Sequence, residues 1–184
     1  MGQLIGFFIR IITFPGLILD YYINKKTANF LSIFILKDDF SKVLSGEALE
    51  IDTTSKYYKL WLFSFLPLLI QTLIALIVCY FAAWAISISD VTVKGKIFFL
   101  IFSYLGISIA AHAFPETKVG KLLWKRSIQE LKSFNLFGFF AFPYVILIYL
   151  IRILHFFWID ILYGIVMIFV LKDLFPVKIY RYSY

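Results

Sequence analysis

The sequence predicts an all-α integral membrane protein. It should have about five, with bounds of four to six, transmembrane or re-entrant helices, and a small cytoplasmic loop region with room for short β-strands. Three observations predict this. The 184 residues are 62% hydrophobic, with a mean hydropathy of +0.90. Only 16% are charged, against roughly 25% in a soluble domain. The apolar residues also come in blocks close to the length of a membrane span, so residues 1–184 read as a single polytopic domain.

A span needs about 20 mostly apolar residues. The first block, 4–23, is interrupted by Arg10 and by Pro15-Gly16. A break there, kinked or re-entrant, needs neighbouring protein to satisfy the freed backbone groups. The clearest span is 61–89, WLFSFLPLLIQTLIALIVCYFAAWAISIS, with Pro67 near its start and Trp61 and Trp84 at its expected interfaces. The next is 97–114. The stretch 136–171 is too long for one straight crossing at about 1.5 Å per residue. It divides best into two crossings, 136–151 and 155–171, with Arg152 and His155 at the turn.

Two segments separate these blocks. Residues 24–60 carry six lysines, FLSIFIL at 30–36 is apolar enough for an interface, and GEALEIDTTSKYYK at 46–59 has the pattern of one or two short strands. Residues 115–135 carry Lys118, Lys121, Lys125, Arg126 and Lys132. Five crossings put both segments and the C-terminus in the cytoplasm and the N-terminus outside, by the excess of positive charge on the inner side. The net charge of +7 follows this distribution, so membrane lipids are expected as partners and nucleic acid is not. The single cysteine, Cys79, lies in an apolar run and can build neither a disulfide framework nor a cysteine metal site within one chain. No basic n-region with a cleavage site marks the start as a removed leader.

The polar residues inside oily sequence are the candidates for chemistry. Asp20 and Asn24 are spaced i, i+4 and share a helical face. This spacing joins two histidines to one metal in H-E-x-x-H, where the glutamate is the general base. Arg152, His155 and Asp160 are costly against lipid and should pair or reach an interface.

The segment T-F-P-G at 13–16 followed by three apolar residues, LGISIAAHAFPETKVGKLLW at 105–124 and LHFFWIDILYG at 154–164 occur in this order. Together they resemble a group of small prokaryotic, largely archaeal, membrane proteins related to site-2-type intramembrane metalloproteases. In that group T-F-P-G-x-x-x leads into H-E-L-x-H. A G-I-S-x-x-x-H-A-F-P core precedes S-x-x-D-A-x-x-L-W, and F-F-W-x-D follows the last apolar block.

The resemblance implies a zinc site, and this chain departs from it at the ligands. Aligned on Phe14-Pro15-Gly16, the two histidine positions hold Asp20 and Asn24, and the glutamate position holds Tyr21. After His112-Ala113-Phe114-Pro115, the serine position is Glu116 and the aspartate position is Val119. A catalytic zinc takes three protein ligands and keeps one open position. Tyrosine, with a reference pKa near 10, is a poor base toward metal-bound water.

The resulting expectation is a pseudoenzyme with no catalytic residues, no metal and no cofactor, in the plasma membrane of a prokaryote. Asp20, Tyr21, Asn24, His112 and Val119 mark its former metal site, with His112 and Asp20 as neighbours. It would act as a scaffold or accessory subunit among other membrane protein subunits. Alternatives are an active zinc protease with an atypical site, a lipid- or quinone-binding subunit, and a transporter-associated one. Asp20 and Asn24 also admit a plainer reading, in which both face the aqueous edge beside Lys25.

Overall fold

The computed structural model describes residues 10–45, 47–89, 93–115, 117–154 and 159–174. In chain order these form helix α1 (Phe14–Phe30), strand β1 (Ile35–Asp38), a 3-10 turn (Phe40–Lys42), strand β2 (Leu49–Ile51) and helix α2 (Tyr57–Ser89). Helices α3 (Val93–Ala111), α4 (Thr117–Lys132), α5 (Leu136–Leu154) and α6 (Ile159–Leu174) follow. Two of them, α2 over Tyr57–Ala85 and α3, are long and apolar enough to cross a membrane.

Helix α2 is the spine. Its 33 residues extend about 50 Å at 1.5 Å per residue. It starts at Tyr57, so Pro67 lies in its interior and not near its start. Trp61 packs among Phe65, Phe137 and Tyr144 in an aromatic cluster. The side of α2 carrying Leu69, Ile70, Leu73, Ile77, Phe81 and Trp84 is exposed. Its opposite side is small: Ala75, Cys79 and Ala82 are fully buried. Small residues let apolar helices approach closely where burial from water gives no drive.

The partners along this spine fix the direction of every other helix. Helix α3 runs against α2, since Gly106 lies on Cys79 and Ala110 shares a buried cluster with Ala75. Helix α4 also runs against it, with Leu123 packed in the cluster of Leu60 and Ser127 bonded to Tyr57 at 2.5 Å. Helix α5 runs with it: Phe137 meets Tyr57, and Tyr144 shares a 3.1 Å hydrogen bond with Ser64. Helix α6 runs with it too, from Tyr163 bonded to Thr72 up to Met167 and Ile168 in the cluster of Ala75, Cys79 and Ala82.

Two expectations are corrected by these directions. Helices α5 and α6 are distinct, as the split of 136–171 requires, but they do not form two opposed crossings. Both run in the same direction as α2, α5 from Tyr57 past Ser64 and α6 from Thr72 past Cys79. The C-terminal end of α6 therefore lies at the end of α2 where α3 begins, opposite to the side predicted from five crossings. Second, 115–135 is not a loop. It forms α4, whose Lys118, Lys121, Lys125 and Lys132 fall within about 60° of one another at 100° per residue and are exposed.

Helix α1 starts later than the first apolar block and continues through Lys25 and Lys26 to Phe30. The interruption falls at Thr13. Pro15 occupies the first turn, where its missing N–H costs nothing. Ser108 Oγ donates to the Thr13 carbonyl at 3.0 Å and accepts from the Gly16 N–H at 2.8 Å, so neighbouring protein satisfies the break.

The 24–60 segment contains a strand where one is expected, β2 at Leu49–Ile51. Its antiparallel partner β1 comes from the end of FLSIFIL, with an irregularity between Ile35 and Lys37. Phe34 and Leu36 project outward and are exposed, as an interfacial segment would require. The hairpin lies along α1, where Val43 and Ala48 pack on Leu17 and Tyr21.

Candidate functional site

One cavity of about 80 Å³ opens between α1, the first half of α2, the α3–α4 connection and the hairpin. Asp20, Tyr21 and Asn24 line it from α1, and Ala113, Phe114, Pro115 and Val119 line it from the connection and the start of α4. Four of the five expected site positions thus share one cavity, although Asn24 and Val119 are far apart in sequence. His112 is not among the described lining residues. Its Nε2 shares a 2.7 Å hydrogen bond with Thr13 Oγ1, just above the start of α1. Glu116 and His155 lie outside the described residues, as do the side chains of Arg152 and Asp160, so their pairing is not described.

The polar floor is a carboxylate held by two amides. Asn24 Nδ2 donates to Asp20 Oδ1 at 2.7 Å, and Gln71 Nε2 donates to the same oxygen at 2.6 Å. Gln71 is fully buried in the middle of α2, and its Oε1 is buried with no hydrogen-bond partner. Asp20 and Asn24 are therefore part of an interhelical network and do not simply face an aqueous edge. Phe63, Ser64 and Pro67 continue the wall from α2. Pro67 has no N–H to give the carbonyl four residues earlier, that of Phe63.

The hairpin closes the outer side through Val43, Ala48, Leu49 and Ile51. Its attachment to α1 is polar. Tyr21 donates its hydroxyl to Asp38 Oδ1, and Lys25 Nζ lies 2.5 Å from Asp38 Oδ2. The Lys25 ammonium, then the Tyr21 hydroxyl, hold the Asp38 carboxyl below the ordinary carboxylate range. Asp38 in turn raises the Lys25 pKa.

The linkage signs follow. A depressed carboxylate contributes above its unfolded pKa and loses the contribution as pH falls through the folded value, here on the acid side of about 4. A raised ammonium contributes below its unfolded pKa, about 10, and loses it as pH rises through the higher folded value. The latch is thus intact between these limits and opens first in acid. Amide exchange of residues 35–51, corrected for intrinsic rate, should rise below about pH 4, and Asp38→Asn should show the raised exchange at neutral pH. Equal protection in wild type and Asp38→Asn at pH 7 would remove the latch.

The donor set does not fit the zinc that the resemblance implies. Asn24 is a weak donor, Val119 is none, and no group of three or more His, Cys, Asp or Glu side chains suited to a metal occurs among the described residues. Tyr21 gives its proton to a structural bond with Asp38.

Sequence reasoning missed Gln71, Ser64, the hairpin wall and the Thr13–Ser108 contact. Gln71 left a signal, as a lone amide within an apolar run of α2. The hairpin wall left none, because Val43 and Ala48 are ordinary apolar loop residues. Comparison with protein-family models, curated proteins and solved structures gives no match for this chain.

Proposed function

We propose that the chain is a catalytically inactive intramembrane-metalloprotease-like protein of a prokaryotic plasma membrane. It would serve as a scaffold or accessory subunit that holds a ligand or partner in the groove between α1, α2 and the α3–α4 connection. The observation that carries this reading is the convergence of Asp20, Tyr21, Asn24 and Val119 on one cavity together with Phe114-Pro115. These are the positions at which the resembling group keeps its metal ligands and base. Here they hold side chains that cannot bind zinc in the required number.

Membrane insertion is supported by the exposed apolar side of α2 and by the matching exposed residues Phe98 and Ile101 on α3 and Phe169 on α6. A face this large and apolar is stable against lipid or protein and not against water. The lysine-rich end, with the start of α2 and α4, is the cytoplasmic one on the same charge argument as before.

Purification in mild detergent tests the reading. The expected result is substoichiometric zinc, no cleavage of transmembrane peptides, and a membrane subunit that co-purifies at constant ratio. Stoichiometric zinc with proteolysis lost on Asp20→Ala would replace the scaffold with an enzyme.

A further inference from the structure

We propose that the outer face of α5 is the contact surface of a two-fold homodimer, on which α5 of a second copy packs in parallel. The face is separate from the groove, since no residue of α5 is among the described residues that line the cavity. Leu136, Phe140, Pro143, Leu147 and Leu150 are exposed and follow one another at intervals of four, three, four and three. That is the 3.5-residue repeat of the seam between paired helices. Phe139 and Ile146 widen the seam on one side and are exposed as well. The opposite face, with Gly138, Ala141, Val145 and Ile148, is buried against the rest of the chain. Every described exposed residue of α5 is apolar.

Lipid does not suit as the cover. Helix α5 keeps pace with the first half of α2: Phe137 meets Tyr57 and, seven residues further along both helices, Tyr144 meets Ser64. The exposed apolar side of α2 starts later, at Leu69. From there to Ser89 the helix already extends about 30 Å, the thickness of a hydrocarbon core. Most of α5 therefore lies outside the lipid tails, at the depth of α4. Exposed Lys121 and Lys125 flank Leu123 there, and Leu123 shares a buried cluster with Leu60, Val145 and Ile148. A bilayer surrounds a protein on every side at a given depth, so tails against α5 would also surround these ammonium groups, which is costly. None of the described ion pairs neutralises them. Water suits no better, because the seven side chains present roughly 700 Å², more than the largest apolar patch of a typical monomer.

A second copy fits in direction, charge and area. Copies in one membrane share one orientation, so a two-fold axis relating them runs along the membrane normal. Since α5 runs in the direction of α2, that axis brings two α5 helices together in parallel, and the seam meets itself layer by layer. The face carries no charge to repel its own copy. Its area is close to the about 800 Å² that each partner gives to a standard interface.

Single cysteines in the full chain, oxidised mildly in native membranes, test the contact. In a parallel two-fold pair each seam residue faces its own counterpart within disulfide reach. Phe140→Cys and Leu147→Cys should therefore each give a linked dimer, about tenfold more than Lys121→Cys or Lys125→Cys on the exposed side of α4. The yield should be high again at positions 136 and 150 and low at 139. Cys79 is fully buried and takes no part. Light scattering in mild detergent should give twice the chain's 21.5 kDa, and the double variant Phe140→Glu, Leu147→Glu should give the single mass.

Equal yields at 140, 147, 121 and 125 overturn the proposal, because random collision produces them. Absence of linked dimer at 140 and 147 overturns it too. Linkage of position 140 to a different polypeptide overturns it in favour of another subunit, and linkage at 143 without 136 or 150 overturns the parallel pairing. If the double glutamate variant fails to fold, the cysteine series at exposed positions still decides. The scaffold reading fails separately, through the zinc and co-purification results above.

Discussion

Gly16→Ala is expected to destabilise the protein by roughly 2 kcal/mol and Gly16→Leu by about 4 kcal/mol, the latter enough to remove much of the folded population. Helix propensity alone predicts the opposite sign, since alanine in a helix interior is favoured over glycine by about 1 kcal/mol. Contact reverses it. A Cβ at position 16 would lie 2.0 Å from the Ser108 carbonyl oxygen and 2.4 Å from its carbon. Both are backbone atoms and cannot rotate away, so α1 and α3 must separate.

Separation also breaks the exchange between Ser108 Oγ, the Gly16 N–H and the Thr13 carbonyl, leaving buried polar groups without partners. Each such loss costs about 1–3 kcal/mol. Ser108→Ala removes the hydrogen bonds without the clash and should cost less than Gly16→Leu. Thermal unfolding in one detergent gives the order: wild type, then Ser108→Ala and Gly16→Ala, then Gly16→Leu. Wild-type melting of Gly16→Ala would show that the two backbones do not touch.

This contact explains how much of the molecule could be read from its sequence. Composition and block length gave the helices, the long α2, and the division of 136–171 into two pieces, because hydrophobic burial leaves its mark residue by residue. The i, i+4 spacing put Asp20 and Asn24 on one face, and they do hydrogen-bond. What composition could not supply is direction and partnership. An apolar helix that rises and one that descends have the same hydropathy, so the common direction of α5 and α6 along α2 could not be read from the sequence. Lysines mark a solvated surface whether it is loop or helix, so α4 was hidden in a basic segment until its packing on Leu60 and Val145 became visible. Gly16 looked like a helix breaker because its role depends on Ser108, 92 residues away.

Labelling from the two sides of the membrane should place position 172 with position 94, and positions 56 and 133 together on the opposite side. The expected effect is all-or-none. Lys56 immediately precedes α2, and Ser133 follows α4 at the end where Ser127 meets Tyr57. Lys94 opens α3 next to the end of α2, and Lys172 lies in the last turn of α6, which runs in the same direction as α2. All four positions are exposed, so single cysteines there react, while Cys79 is fully buried and stays silent. Two opposed crossings within 136–171 require the reverse, with position 172 labelled from the side of 56 and 133. That outcome would also detach Met167 and Ile168 from the cluster of Ala75, Cys79 and Ala82, because α6 could not then rise along α2. The charge distribution agrees with the expected result. Six basic residues in 24–60 and five in 115–135 fall at one end of α2, and Lys94, Lys96 and Lys172 fall at the other. The directions of α5 and α6, read from where Tyr144 and Tyr163 touch α2, are what this labelling tests.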